Sequence, residues 1–189
     1  ETGGSSSLKP QLQGLTAGFS SGTSGTRGLF LLAKDEQAAW TGTVLARVLH
    51  SLKPERVALF LRAGSNLYEG VGRGKFIQFR YFPLTLDLER MVLELNEYRP
   101  TLVIGPASLL ERVAQVIERL NFRPDRLIAV AEVLEKQDKT RLENVFQGPV
   151  YQIYQATEGF LAASCAHGRL HLQEDIVGIQ LEPLGQGHV

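Results

Sequence analysis

Residues 19 to 32 are Phe-Ser-Ser-Gly-Thr-Ser-Gly-Thr-Arg-Gly-Leu-Phe-Leu-Leu, and this stretch predicts how the rest of the chain is organised. Glycine lets a backbone turn its amide groups toward one point, where an anion accepts several hydrogen bonds. The hydroxyl groups add donors or a metal ligand, and Arg27 supplies a forked cation that matches phosphate oxygens. The apolar run 29–32 that follows predicts a strand. Together these features predict a loop that binds a polyphosphate.

A Walker loop and a flexible linker are two other interpretations of these residues. A Walker loop ends in Gly-Lys-Ser/Thr and enters a helix. Here the loop ends in Thr26-Arg27-Gly28 and enters a strand, which argues against a Walker nucleotidase. A flexible Ser/Gly linker is the alternative for such a segment taken alone. The residues predicted to bind phosphate are Ser20, Ser21, Gly22, Thr23, Ser24, Gly25, Thr26 and Arg27.

Composition limits the class of protein. The chain has 189 residues, with 20 basic and 20 acidic side chains and no net charge at pH 7. No block of like charges is present, so neither nucleic acid nor an anionic membrane is indicated as a partner. Cys165 is the only cysteine, which excludes an internal disulfide and fits a reducing cytoplasm. No apolar run has the length of a membrane span, and no signal-peptide pattern is present.

Apolar runs and stripes of helical period alternate along the chain. Strands are predicted at 29–32, 56–61, 76–82, 101–104, 127–130 and 150–154, with short β segments at 170–172 and 176–181. Helices are predicted after the N-caps Asp35 and Asp138, from Leu88, and over 109–120, and Gly148 is predicted to end the last helix. This alternation predicts right-handed βαβ units, and hence an α/β fold with a mainly parallel sheet and helices on both faces.

The loop also resembles a known family. Ser-Gly-Thr-Ser-Gly followed by a basic residue and Gly is similar to the phosphate loop of the adenylate-forming superfamily, which includes acyl- and aryl-CoA ligases, luciferases and non-ribosomal adenylation domains. The usual form is Ser-Gly-Thr-Thr-Gly-x-Pro-Lys-Gly. This chain is one residue shorter, lacks the Pro and has Arg27 in place of the Lys. These departures concern how the β- and γ-phosphates are held.

A second segment, Tyr154-Gln155-Ala156-Thr157-Glu158, resembles the Tyr-Gly-x-Thr-Glu motif of the same superfamily, with Gln155 in place of Gly. The resemblance implies that Tyr154 packs on adenine, that Thr157 meets the α-phosphate and that Glu158 helps to bind Mg²⁺, with Gln155 and Ala156 in the same nucleotide-binding segment. An oxygen ligand suits Mg²⁺, because waters and phosphates complete its octahedron. Without the first motif, Glu158 would be taken as a solvated surface carboxylate.

A third segment, Ala131-Glu132-Val133-Leu134, is similar to the Gly-Glu-x-Leu segment that lines the adenine pocket in the superfamily. The resemblance implies that Ala131, Glu132 and Val133 lie at the nucleotide. The three segments occur in family order, and the resemblance extends from about residue 19 to residue 175.

Narrower resemblances exist within the superfamily. The segments 101–110 and 168–175 look like the phenylacetate–CoA ligase branch. The segments 62–68 and 154–159 are similar to adenylate-forming proteins associated with aryl-polyene pigment clusters.

The resemblance implies an enzyme that activates a carboxylic acid with ATP and Mg²⁺, forms an acyl- or aryl-adenylate and transfers the acyl group to CoA or to a carrier-protein thiol. It also implies a ribose-binding Asp and a C-terminal lid with a catalytic Lys. The sequence ends at Val189 before either appears. We therefore expect a disordered lead or expression remnant at 1–15 and a partial AMP-binding domain at 16–189, a fragment with little activity alone. A non-catalytic nucleotide- or acyl-binding module and a purely structural α/β domain are the alternatives.

For three further groups of residues, the sequence is compatible with more than one role. Cys165, His167 and His171 have zinc-ligand chemistry, but a structural zinc site needs four ligands, so a buried thiol with two ordinary histidines is favoured. Phe76, Phe79, Tyr81 and Phe82 either line an acyl or aryl pocket or, as is more common, form core. The glycines of 70–74 lack dinucleotide-binding spacing and precede a strand, so a turn is predicted there.

Overall fold

The computed structural model describes residues 11–12, 15–19, 28–48, 53–61, 76–156 and 159–180. The strands are β1 Gln11–Leu12, β2 Leu15–Phe19, β3 Leu29–Leu32, β4 Glu55–Leu61, β5 Ile77–Pro83, β6 Leu102–Gly105, β7 Arg126–Ala129, β8 Val150–Ala156, β9 Gly159–Ser164 and β10 Leu170–Leu172. The helices are α1 Lys34–Val48, α2 Leu88–Tyr98, α3 Ala107–Ala114 and α4 Lys136–Phe146, and a 3-10 turn covers Ile117–Arg119.

A seven-stranded sheet organises most of these elements. Its strand order is β10-β9-β8-β7-β6-β4-β5. Strands β4 to β8 pair in parallel, while β9 and β10 add antiparallel strands at one edge. Strands β1, β2 and β3 form a separate antiparallel sheet. The predicted α/β fold with a mainly parallel sheet is confirmed.

Helices cover both faces of the large sheet, as predicted. On one face, α2, α3 and α4 pack against alternate strand residues in a core that includes Phe60, Phe82, Met91, Leu95, Val103, Leu110, Leu127, Leu142, Phe146 and Val150. On the other face, Val48 of α1 packs with the intervening strand residues Val57, Leu59, Leu102, Ile104 and Ile128. Residues 57–60 of β4 and all of β6 are apolar without alternation because both faces of the sheet are covered there.

Several predicted helix boundaries are wrong. Helix α1 begins at Lys34 and α4 at Lys136, so Asp35 and Asp138 lie in first turns instead of capping them. Helix α4 ends at Phe146, and its C-cap is Gln147, whose φ of 55° is left-handed, instead of Gly148. Glycine suits position 148 for a different reason, which is lack of space. A β-carbon there would lie only 2.9 Å from the carbonyl oxygen of Asp125.

Two other elements differ in extent. The helix predicted over 109–120 ends at Ala114, and the chain continues through a 3-10 turn. The β-branched pair Val116 and Ile117 disfavours further α-helix at this point. Of the strand predicted at 176–181, residues 176–180 form no strand. The amides of Ile176 and Val177 instead donate to the carbonyl of Gln173 in a turn, both at 3.0 Å.

Two further predictions concern residues 1–15 and residues 70–74. Within residues 1–15, for which a disordered lead is predicted, Gln11–Leu12 pairs with β2. The predicted turn at 70–74 lies outside the described residues.

A buried ion pair joins two strands at the amino end of the parallel sheet. The guanidinium of Arg126, at the start of β7, donates to Oε1 of Glu55, at the start of β4, and both side chains are about nine-tenths buried. Within the described part of the chain, Oε2 of Glu55 has no hydrogen-bond partner. The guanidinium is therefore the principal compensation for a carboxylate removed from water.

We expect Arg126→Met to lower the free energy of unfolding by about 3–5 kcal/mol, because it leaves an uncompensated buried charge. Glu55→Leu combined with Arg126→Met removes both charges and should recover most of that loss. Urea denaturation of the single and double variants checks this. A double variant as unstable as the single one would contradict it.

Close packing of α3 against β6 leaves no room for a side chain at Gly105. A β-carbon at this position would lie 2.8 Å from Cδ2 of Leu109 and 3.1 Å from Cβ of Phe60. Gly42, in the exposed middle of α1, has no such atom within 4 Å. The two glycines therefore make a matched pair.

We expect Gly105→Ala to destabilise the fold by about 1–3 kcal/mol through overpacking. Gly42→Ala should instead stabilise it by up to about 1 kcal/mol, because alanine is the better helix former. Thermal and urea denaturation measure both changes. Equal effects of the two substitutions would show that the packing at Gly105 is looser than described.

Candidate functional site

The carboxyl ends of β6, β7 and β8 lie at one edge of the sheet because the three strands are parallel. Gly105 is paired with Ala129, and Ala129 with Gln152. Beyond the ladder, the amide of Val130 still donates to the carbonyl of Gly105 at 3.0 Å. In open α/β sheets this edge is where ligands bind.

The segment 131–134 leaves this edge in an unusual conformation. Ala131 has a φ of 62°, a left-handed value that a residue with a β-carbon seldom adopts. Glu132 then turns back onto helix α3, where Oε2 accepts from the amide of Ser108 at 2.8 Å and Oε1 from its hydroxyl at 2.9 Å. Val133 is 79% exposed, whereas Leu134 is buried in the core. The loop thus presents one apolar side chain outward.

The end of β8 presents the second predicted segment. Tyr154 is 55% exposed, Gln155 is exposed as well, and Ala156 is partly buried. A register shift between Tyr154 and Gln155 interrupts the alternation expected of a strand, which accounts for two successive exposed side chains. Thr157 and Glu158, which follow directly, lie outside the described residues.

The predicted phosphate loop is described only at its two ends. Strands β2 and β3 pair antiparallel, with Phe19 opposite Leu29. Residues 20–27 lie between these strands and outside the described residues, as does every predicted phosphate-binding side chain. Its role therefore stays a prediction.

Two of the predicted nucleotide-binding segments lie at the ends of neighbouring strands in the described structure. Ala131, Glu132 and Val133 follow β7, and the segment 154–156 ends the neighbouring strand β8. Both segments therefore lie at the carboxyl edge of the same sheet.

A polar network that the sequence did not indicate connects α1 to the turn after β10. Nε of Arg47 donates to Oε1 of Gln173 at 2.8 Å, and its terminal nitrogen donates to Oδ2 of Asp175 at 2.5 Å. More than 120 residues separate the partners, so no local pattern predicts the contact. A cavity of about 360 Å³ lies beside it, lined by Ala46, Arg47, Ala163, Ser164, Cys165, His171, Leu172, Gln173 and Asp175.

The aromatic residues of β5 divide between core and surface. Phe82 is fully buried and stacks on Phe60 with ring centroids 4.9 Å apart, so it belongs to the core. Phe79 is partly buried against the α1 side of the sheet, while Phe76 and Tyr81 are exposed. The prediction of an acyl or aryl pocket lined by all four residues is therefore wrong. Phe82 packs in the core cluster on one face of the sheet, whereas Phe79 packs against the cluster on the other face.

The described helices do not include one that is long and apolar enough to cross a membrane.

Cys165 lies near His167 and His171, but a metal cluster is not formed. Across the described residues, no group of three or more His, Cys, Asp or Glu side chains could hold a metal ion. Cys165 is partly buried. Hydrogen bonding to the backbone of Arg169 lowers the pKa of its thiol from the ordinary value, with a further contribution from the backbone of His167.

We expect Cys165 to be alkylated by iodoacetamide with a pH midpoint below that of the same protein unfolded in urea. A lowered pKa means that the reactive thiolate forms at lower pH in the folded chain. The pH dependence of the alkylation rate, followed by mass spectrometry, measures both midpoints. The absence of other cysteines makes the signal unambiguous. Coincident midpoints would contradict the expectation.

Comparison with solved structures places this fold among CoA ligases. The chain is similar to a 2-hydroxyisobutyryl-CoA ligase in an open conformation in complex with 2-HIB-AMP and CoA, at 16% identity over 78% of this chain and 35% of that one, with a TM-score of 0.61. It is similar to a malonyl-CoA ligase with methylmalonyl-CoA and AMP bound, at 18% identity over 81% and 35% of the two chains, TM-score 0.61. It is also similar to an anthranilate CoA ligase in complex with anthranoyl-AMP, at 13% identity over 82% and 32%, TM-score 0.61.

The chain spans about a third of the length of these ligases. No family model matches the sequence, and no curated protein matches it. At such low identity the likeness establishes the fold alone. The chain has a fold that it shares with CoA ligases whose solved structures contain AMP or an acyl-adenylate.

Proposed function

We propose that this chain is part of an enzyme that uses ATP to activate a carboxylic acid as its acyl- or aryl-adenylate. The acyl group then passes to a thiol, that of CoA or of a carrier protein: the C–S bond forms, the acyl C–O bond to phosphate breaks, and AMP leaves. The observation that supports the proposal is that segments 131–134 and 154–156 lie at the carboxyl ends of the adjacent parallel strands β7 and β8. Both segments resemble nucleotide-binding motifs, and the fold is shared with ligases solved with AMP or an acyl-adenylate.

In the proposed reaction, a carboxylate oxygen of the acid attacks the α-phosphorus of ATP. A new C–O–P linkage forms, and the bond between the α-phosphorus and the bridging oxygen of pyrophosphate breaks. The amides and hydroxyls of 20–26 and the cation of Arg27 would hold the phosphates and balance the charge that moves onto pyrophosphate. Thr157 would donate to the α-phosphate.

Tyr154 would bind the adenine ring. Its own ring is largely exposed at the sheet edge, so its face is accessible for stacking. Glu158 would hold Mg²⁺, since a carboxylate oxygen is the ligand type that this ion prefers and few protein ligands are needed. The ion, when bound, neutralises phosphate charge. We propose the phenylacetate–CoA ligase-like branch and an aryl substrate on the segment resemblances alone, and we propose a cytoplasmic location.

A non-catalytic nucleotide-binding module is the second candidate, because the same loop and edge would bind nucleotide without chemistry. Exchange of labelled pyrophosphate into ATP by the whole enzyme of which this chain is proposed to be part distinguishes the two, since exchange requires reversible formation of an adenylate. Exchange that depends on a carboxylic acid supports the ligase, and binding without exchange supports the module.

We expect ATP with Mg²⁺ to raise the melting temperature of the chain, because a ligand bound only by the folded state stabilises it. Glu158→Gln should weaken Mg²⁺-dependent ATP binding about tenfold or more, which corresponds to losing one charge-assisted contact. Isothermal titration with Mg²⁺ and with EDTA measures the difference.

Glu118→Gln is the matched control, since Glu118 is an exposed carboxylate in the 3-10 turn. It makes the same change of charge and should leave ATP affinity unaltered. No thermal shift with ATP would favour a purely structural α/β domain. Unchanged affinity in Glu158→Gln would count against the metal-binding assignment.

A further inference from the structure

The carboxylate of Glu132 reaches from the loop after β7 to the first turn of α3, where it accepts both polar hydrogens of Ser108. Helix α3 has Pro106 at its N-cap and no side-chain cap of its own. Glu132 therefore caps it from the neighbouring strand, and a carboxylate is favourable at this positive end of a helix. One side chain thus links the loop to the helix.

We propose that Glu132 is a positioning residue for the nucleotide, which acts by holding Ser108 and so fixing the 131–133 backbone and the exposed Val133 at the adenine end of the site. This inference rests on the proposed function. It assigns Glu132 a role different from direct contact with the nucleotide, because both carboxylate oxygens are already hydrogen-bonded within the fold.

Contacts on both sides of residues 131–133 hold the loop in place. Before it, the amide of Val130 donates to the carbonyl of Gly105 at 3.0 Å. After it, Leu134 is buried, and Nε2 of Gln152 donates to its carbonyl at 3.4 Å. Between these anchors, residues 131–133 are all exposed. Core packing therefore does not determine their conformation.

The left-handed φ of Ala131 makes a compensating contact necessary. A residue with a β-carbon pays a conformational cost in this region, and alternative backbone conformations are accessible to an exposed alanine. The two hydrogen bonds of Glu132, which is the next residue, favour the observed conformation. Without them, Val133 would not be kept 79% exposed at the edge that also presents Tyr154.

A merely structural role is the competing explanation, because a lost helix cap destabilises any helix. The chain offers a matched control in α2, where Oδ1 of Asp87 accepts from the amide of Arg90 at 3.0 Å. Asp87 follows β5, at the far side of the sheet from β7 and β8. Asp87→Ala thus removes an equivalent cap at a distance from the candidate site.

The test compares Glu132→Ala, Glu132→Gln, Ser108→Ala and Asp87→Ala with the wild-type chain. Melting temperature measures stability, and calorimetric titration measures the affinity for ATP with Mg²⁺ and for tripolyphosphate with Mg²⁺. Tripolyphosphate is the informative probe, because it lacks adenosine and leaves the 131–133 segment without a ligand.

We expect Glu132→Ala to weaken ATP binding about tenfold, as when the binding-competent loop conformation is populated about a tenth of the time, with tripolyphosphate affinity changed less than about twofold. Glu132→Gln should recover part of the ATP affinity, since its amide oxygen still accepts one bond. Ser108→Ala, which keeps the backbone donor, should have an intermediate effect. Asp87→Ala should lower the melting temperature and leave both affinities intact.

ATP affinity that is unchanged in both Glu132→Ala and Ser108→Ala overturns the inference while the proposed function stands. Equal losses for ATP and tripolyphosphate overturn it as well, since they indicate a general effect on the fold. If Glu132→Ala does not fold, Glu132→Gln and Ser108→Ala give the same comparison. A wild-type chain that binds neither ligand overturns the proposed function, and the positioning role with it.

Discussion

Helix α3 and strand β6 lie so close together at Gly105 that a β-carbon there would overlap Leu109. This close approach places the first turn of α3 directly over the end of the sheet, with Ser108 within hydrogen-bonding distance of Glu132. The amide of Val130 is fixed to the same glycine through its carbonyl. The arrangement of the loop after β7 therefore depends on one small residue at the end of the neighbouring strand.

The two ends of the parallel sheet have different chemistry. At the amino end, Glu55 and Arg126 are buried together across three strands, and neither is accessible to a ligand. At the carboxyl end, the large side chains of Val133 and Tyr154 are exposed. The amino end of the sheet thus contains a buried ion pair, whereas the carboxyl end presents exposed side chains.

Local patterns predicted most of the elements, though not β1, β2 and β9, and did not predict the contacts between elements. The unbroken apolar runs of β4 and β6 indicate strands buried on both faces, and the structure confirms them. Family resemblance drew attention to Glu132, yet its partner Ser108 lies 24 residues away, and no spacing rule connects them. The end of α4 was mispredicted for a similar reason: the position of Gly148 is set by the nearby backbone of Asp125, which is distant in sequence.

Strand β9 contains one residue more than its partner needs. Tyr154 is opposite Ala162 and Gln155 is opposite Phe160, so Leu161 is left without a partner in the ladder with β8. Its carbonyl instead accepts from the amide of Gln173, the residue whose side chain binds Arg47. Since strand side chains alternate, shortening β9 by this one residue would turn the buried Phe160 toward the opposite face and disconnect the segment that holds α1. The length of this strand is therefore constrained along with its buried side chains, because a one-residue insertion or deletion here changes which face each side chain occupies.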